Sequence, residues 1–155
     1  MADIRSFGLR VRSEVLDRIA PLCEDVDLEG FGGLCAIVSE TLGQVLRSNG
    51  HRATLICGVY EGHEHCWLEV DGNKLVDATA TQFGLADPVL VVPTGSQGYH
   101  EVTRGSAAIE EVANWGDQSP QEHAREIRRI VRALSTTPRC SAHHAPGLDS
   151  ANEAR

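Results

Sequence analysis

Residues 63–79 read HEHCWLEVDGNKLVDAT, and their alternation decides the fold. His65 to Val70 reads as a strand, Asp71-Gly72-Asn73 turns the chain, and Lys74 to Asp77 returns. Side chains on a strand alternate between faces, so His65, Trp67 and Glu69 share one face. A two-residue loop would put Asp77 on the other face. An odd loop, with Val70 opposite Lys74, sets Asp77 opposite Trp67 and one diagonal from His65. Carboxylate and imidazole then meet only if the hairpin has an odd loop or a bulge.

Upstream, Arg52 to Tyr60 forms another strand, in which Ala53, Leu55, Cys57 and Val59 alternate with polar or small neighbours before Glu61-Gly62 turns. Before that, the loop Gly30-Phe31-Gly32-Gly33 leads into a helix starting at Leu34 or Cys35 and stopping at Asn49-Gly50. Leu34, Val38, Leu42 and Val45 fall on one face of it, with Ile37, Thr41 and Leu46 beside them, which predicts a central, buried helix. Gly43 lowers its propensity and predicts close packing of another backbone. A first helix is expected from an N-cap at Ser13, with Val15, Leu16, Ile19 and Leu22 apolar, broken near Pro21 and followed by the acidic run Glu24 to Glu29.

Downstream, Val89 to Val92 and Tyr99 to Val102 read as short strands, Ala107 to Trp115 as a helix candidate, and Ser119-Pro120 introduces a helix over Gln121 to Ser135. Beyond Thr136 the sequence loses periodicity, which predicts a flexible tail over 136–155 without a role for His143 and His144. The expectation from the residues is one α+β domain over 1–135, with N-terminal helices, Cys35 at a helix start, His65 and Asp77 on short strands, and a C-terminal helix.

A thiol attacks well only as thiolate, which a helix N-terminus or a nearby imidazolium favours. Gly32-Gly33 lets the chain turn tightly just as the helix begins at Cys35, whose own backbone N–H lies in the unsatisfied first turn and can donate to an oxyanion. The indole of Trp67 shields His65 and limits its rotation. Asp77 accepts from one ring nitrogen and leaves the other for the thiol. Cys35, His65 and Asp77 are therefore the expected catalytic residues, and Gly33, Trp67 and Gln82 the expected substrate contacts.

Cys35 at a helix start, His65 in His-Cys-Trp-Leu-Glu-Val and Asp77 in Val-Asp-Ala-Thr resemble the three catalytic segments of the transglutaminase-like superfamily. The resemblance covers about Gly30 to Phe83. It implies a papain-like core, in which N-terminal helices carrying Cys35 pack on a small antiparallel sheet carrying His65 and Asp77, and a thiol hydrolase cutting a peptide or side-chain amide through an acyl-enzyme, with a peptide or protein as substrate and no cofactor. Acyl transfer to an amine, as in transglutaminases, and a peptide-binding module without activity are the alternatives it leaves. The aspartate segment reads Asp77-Ala78-Thr79 where many members have Asp-Pro-Thr, and the second oxyanion donor is not evident.

The 155 residues suit one domain, and 41% hydrophobic with 23% charged residues is an ordinary globular composition. A net charge of -8 repels phosphate backbones and anionic lipid, so neither nucleic acid nor membrane is an expected partner. Arg125, Arg128, Arg129 and Arg132 read as a solvated helix face. Five cysteines without regular spacing do not make a disulfide framework. With no apolar signal-like segment at the N-terminus, the expected location is the cytoplasm, delivery by a signal-less route remaining open. His63, His65, Cys66 and Cys57 offer metal-ligand types, but Cys66 points away from the two histidines and no second pair has finger spacing, so no metal is expected.

Overall fold

The computed structural model describes residues 3–23, 33–105 and 120–135. Among these residues the chain is α+β: three α-helices and a five-stranded antiparallel sheet. Helix α1 is Ile4–Arg18, followed by a 3-10 turn at Ala20–Leu22; α2 is Cys35–Ser48; α3 is Pro120–Ser135. The strands are β1 Ala53–Tyr60, β2 His63–Val70, β3 Lys74–Asp77, β4 Leu90–Pro93 and β5 Tyr99–Gly105, with a 3-10 turn at Ala80–Phe83 between β3 and β4. Their order across the sheet is β4-β3-β2-β1-β5.

The β2–β3 hairpin has the odd loop that parity requires. Val70 pairs with Lys74, Glu69 with Leu75 and Leu68 with Val76, leaving Asp71-Gly72-Asn73 as the turn. Asp71 and Gly72 take positive φ values of 57° and 78°, conformations an aspartate tolerates and a glycine adopts freely. Continuing the register puts Asp77 level with Trp67 on the face of His65.

Alternation divides the sheet into two faces. Ala53, Leu55, Cys66, Leu68, Val70 and Val76 pack with the helices in the main core, alongside Val38, Leu42, Val45 and Leu46 of α2 and Ile127, Ile130 and Leu134 of α3. Ile56, Trp67 and Leu75 form a second cluster on the opposite face, joined by Val92 and Tyr99. The period of α2 explains its central place: its apolar stripe meets α1, α3, β1 and β2, and Val38, Leu42, Val45 and Leu46 have no exposed surface.

Several boundaries differ from the sequence expectation. Helix α1 begins at Ile4, not at Ser13, because Ile4, Phe7, Val11 and Val15 already keep a helical stripe that is buried along its length. Gly8 is buried within that stripe. A β-carbon there would lie 2.7 Å from Val89 Cγ1, so the glycine lets α1 approach the chain just before β4. Gly43 packs closely as expected, but against side chains: its β-carbon position is 3.2 Å from Leu68 Cδ2. Strand β5 continues to Gly105, β4 starts one residue late at Leu90, and β2 starts at His63. The acidic run Glu24 to Glu29, the loop Gly30 to Gly32, the helix candidate Ala107 to Trp115 and the tail 136–155 lie outside the described residues. No described helix is long and apolar enough to cross a membrane.

Candidate active site

Leu34 precedes α2 as its N-cap and provides no side-chain hydrogen bond to the first turn. Gly33, at φ 82°, sets the entry to it. The N–H groups of that turn consequently face away from the helix without intrahelical partners, and Cys35 is its first residue. Four residues on, on the same helix face, Ser39 Oγ donates to the carbonyl of Cys66 at 3.0 Å. The β2–β3 ladder ends at Leu68–Val76, so among the described residues no strand pairs with the main chain of β2 around Cys66 on that edge. The start of α2 takes that place.

On the other face of β2, His65 has no exposed side-chain surface and its Nε2 lies 2.7 Å from Asp77 Oδ2. Asp77, itself fully buried, accepts three further bonds. Tyr99 Oη donates to Oδ2 at 2.8 Å, while Thr79 gives its backbone N–H and hydroxyl to Oδ1 at 2.8 and 3.1 Å. A buried carboxylate is tolerable only when its lone pairs are filled in this way. Arg12 of α1 closes the arrangement from behind by donating to the carbonyl of Ala78, 3.4 Å from Thr81 Oγ1 through the same nitrogen. Burial lowers the Arg12 pKa, and the charge of Asp77 pulls it back up. Burial, then the Asp77 charge, pushes the Tyr99 phenol well up, so it stays a donor.

Four aromatic rings surround the imidazole: Phe83 edge-on at 4.9 Å between centroids, Trp67 at 5.9 Å, and Tyr60 and Tyr99 at 6.4 Å each. Trp67 lies over β1 at Gly58, where a β-carbon would come within 2.6 Å of its ring and 2.3 Å of the His100 carbonyl oxygen. Gln82 fills the remaining side. Its Nε2 is 3.1 Å from His65 Nδ1 and 3.2 Å from the Thr79 carbonyl oxygen. A carbonyl only accepts, so the atom facing it is the amide nitrogen, and Nδ1 meets a donor. Gln82 therefore favours the neutral ring with its proton on Nε2, and opposes protonation of Nδ1.

The electrostatics of Cys35 and His65 are opposite in sign. The Cys35 thiol is pulled down to about 5 by hydrogen bonding to the Cys66 thiol first; burial works against this, and hydrogen bonding and charge attraction to His65 with the Cys66 backbone N–H add to it. His65 is lowered by burial, but bonds to Asp77 and Cys35 outweigh this and raise it to about 9. Cys66 is pushed far up by its bonds to Cys35 and Cys57, and its sulfur lies 3.2 Å from that of Cys57. The acidic thiol is thus Cys35, with Cys66 as its donor.

Cys35 and His65 share a cavity of about 610 Å³ walled by the start of α2, β1, β2 and β5. Gly33 lines it. Trp67 and Gln82, the other two expected substrate contacts, are not among its walls: Trp67 packs in the second apolar cluster and Gln82 is spent on His65. His63 is exposed on the same strand and meets Phe83 at 6.0 Å, while His65 holds the carboxylate. Glu69, on the same face, pairs in a fork with Arg104 at 2.7 and 2.9 Å. Among the described residues no group of three or more His, Cys, Asp and Glu side chains is arranged to hold a metal.

Sequence reasoning passed over Tyr99, Thr79, Arg12, Tyr60 and Phe83. Thr79 carries a signal, since a threonine two residues after a buried aspartate can cap it. Tyr99 and Arg12 carry none, because only the folded sheet and α1 bring them to Asp77.

The chain matches no protein-family model, no curated protein and no solved structure.

Proposed function

We propose that this protein is a cysteine hydrolase of peptide or side-chain amide bonds, built on a papain-like, transglutaminase-like core. One observation carries the reading: the buried 2.7 Å contact of His65 Nε2 with Asp77, beside a Cys35 thiol pulled down to about 5. With Nε2 committed to Asp77, only Nδ1 can exchange a proton with the thiol. The ion pair is present at pH values between those of Cys35 and His65, about 5 and about 9.

In the reaction, Cys35 Sγ attacks the carbonyl carbon and the first-turn N–H groups of α2 face the developing oxyanion. His65 Nδ1–H then protonates the leaving nitrogen as the C–N bond breaks, giving a thioester on Cys35. Neutral His65 next takes a proton from water, whose oxygen attacks the thioester; thiolate leaves, and the acid is released. Asp77 stays ionised throughout and holds the ring.

Iodoacetamide labelling followed by peptide mapping tests this directly. Cys35 should be alkylated faster than the other cysteines at pH 6, with the rate rising through about pH 5 as the thiol ionises. Unreactive Cys35 below pH 8, or a rate indifferent to His65→Ala, would sink the proposal.

A further inference from the structure

Neighbouring strand residues face opposite sides, yet Val102 and Thr103 of β5 both line the cavity that holds Cys35. The register explains this. Cys57 pairs with Thr103 but Gly58 pairs with Glu101, so Val102 is an extra residue with no partner on β1. A bulge of this kind turns two successive side chains the same way. It sits where Gly58 lets the β5 backbone come close, a β-carbon there being 2.3 Å from the His100 carbonyl oxygen. The result is an apolar side chain left 68% exposed on the wall of the cavity. Ala36 and Val59 add apolar surface to the same cavity, in which, among the described residues, Glu64 is the one acidic side chain and Lys and Arg are absent.

We infer that the bulge makes Val102 a specificity residue: it seats an apolar acyl chain of the substrate against Val59 and Ala36 while Cys35 attacks the adjoining carbonyl. This deepens the proposed function and rests on it. A water-exposed valine gains only when something apolar covers it, at roughly fourfold in rate or affinity for each methylene buried.

The test uses p-nitrophenyl acetate and p-nitrophenyl hexanoate as acyl donors. Cys35 thiolate attacks the ester carbonyl, the bond to oxygen breaks, p-nitrophenolate leaves and a thioester forms, which mass mapping locates. Rates are divided by those of a free small thiol to remove intrinsic ester reactivity. The corrected hexanoate-to-acetate ratio should exceed about tenfold in wild type, fall by about threefold or more in Val102→Ser, and be kept or raised in Val102→Leu. A ratio near one, or one that Val102→Ser leaves alone while Cys35 is acylated, overturns the inference and spares the hydrolase reading. A Val102→Leu ratio below wild type also overturns it, whatever the folding of the serine variant. No acylation at Cys35 by either ester overturns both.

Discussion

The two faces of β2 differ although their residues alternate along eight positions of one strand. Toward α2 it shows Leu68 and Val70, side chains whose work is packing, and Cys66, which packs and also donates to Cys35; toward the other side it shows His65, Trp67 and Glu69, held by hydrogen bonds, ring contacts and an ion pair. Packing tolerates no loss of volume but is indifferent to proton position. The polar face is the reverse: a small change in a donor leaves the volume intact and moves a proton. Perturbations of the two faces should therefore register in different observables.

The largest effect belongs to the packed face. Leu68 is fully buried between the sheet and α2, against Gly43, and Leu68→Ala should cost about 3 kcal/mol in denaturant unfolding. The alkylation rate of Cys35 in the molecules that remain folded should change little. His65→Ala should do the opposite, cutting Cys35 alkylation at pH 6 by about two orders of magnitude. If both variants moved both observables alike, the division between the faces would be wrong.

An intermediate effect lies within α2. Glu40 is 1% exposed and pairs with Arg47 and Gln44, while its Oε2 has no hydrogen-bond partner among the described residues. Burial pushes its pKa up, with Arg47 opposing. Arg47→Met leaves that acid without its cation, and should destabilise by about 2 kcal/mol in urea unfolding. The smallest effect is the most diagnostic. Gln82→Leu removes a donor that favours neutral His65, so the imidazolium should persist to higher pH. The alkaline fall of amide turnover, expected near pH 9 from the raised His65, should move upward by less than about one pH unit. A downward move would mean that the amide oxygen, rather than the nitrogen, faces the ring.

Much of the central architecture was legible because it depends on short-range rules. The stripe of α2, the alternation of β1 and β2, and the turn Asp71-Gly72-Asn73 are local, and parity then ties Asp77 to His65 without knowledge of any other contact. The start of α1 was missed because its stripe was read only from Val15 onward, whereas Ile4, Phe7 and Val11 already carry it and Gly8 packs against Val89. Tyr99 was missed for a different reason. Its bond to Asp77 depends on β5 joining the sheet beside β1, and strand order is not written in the periodicity of any one segment. The bulge at Val102 was equally invisible, since a register shift belongs to a pair of strands.

The shortness of β3 has a consequence for how this molecule can be altered. Four residues suffice to reach Asp77, and where the strand stops the main chain of β2 is left to α2: Ser39 takes the carbonyl of Cys66 and Cys35 its N–H. Strand length acts here as a ruler for the nucleophile. Lengthening β3 by two residues keeps every side chain on its proper face, and yet seats a backbone where the sulfur has to be. Mutation screens that change one side chain at a time cannot find this constraint; insertions and deletions in pairs can.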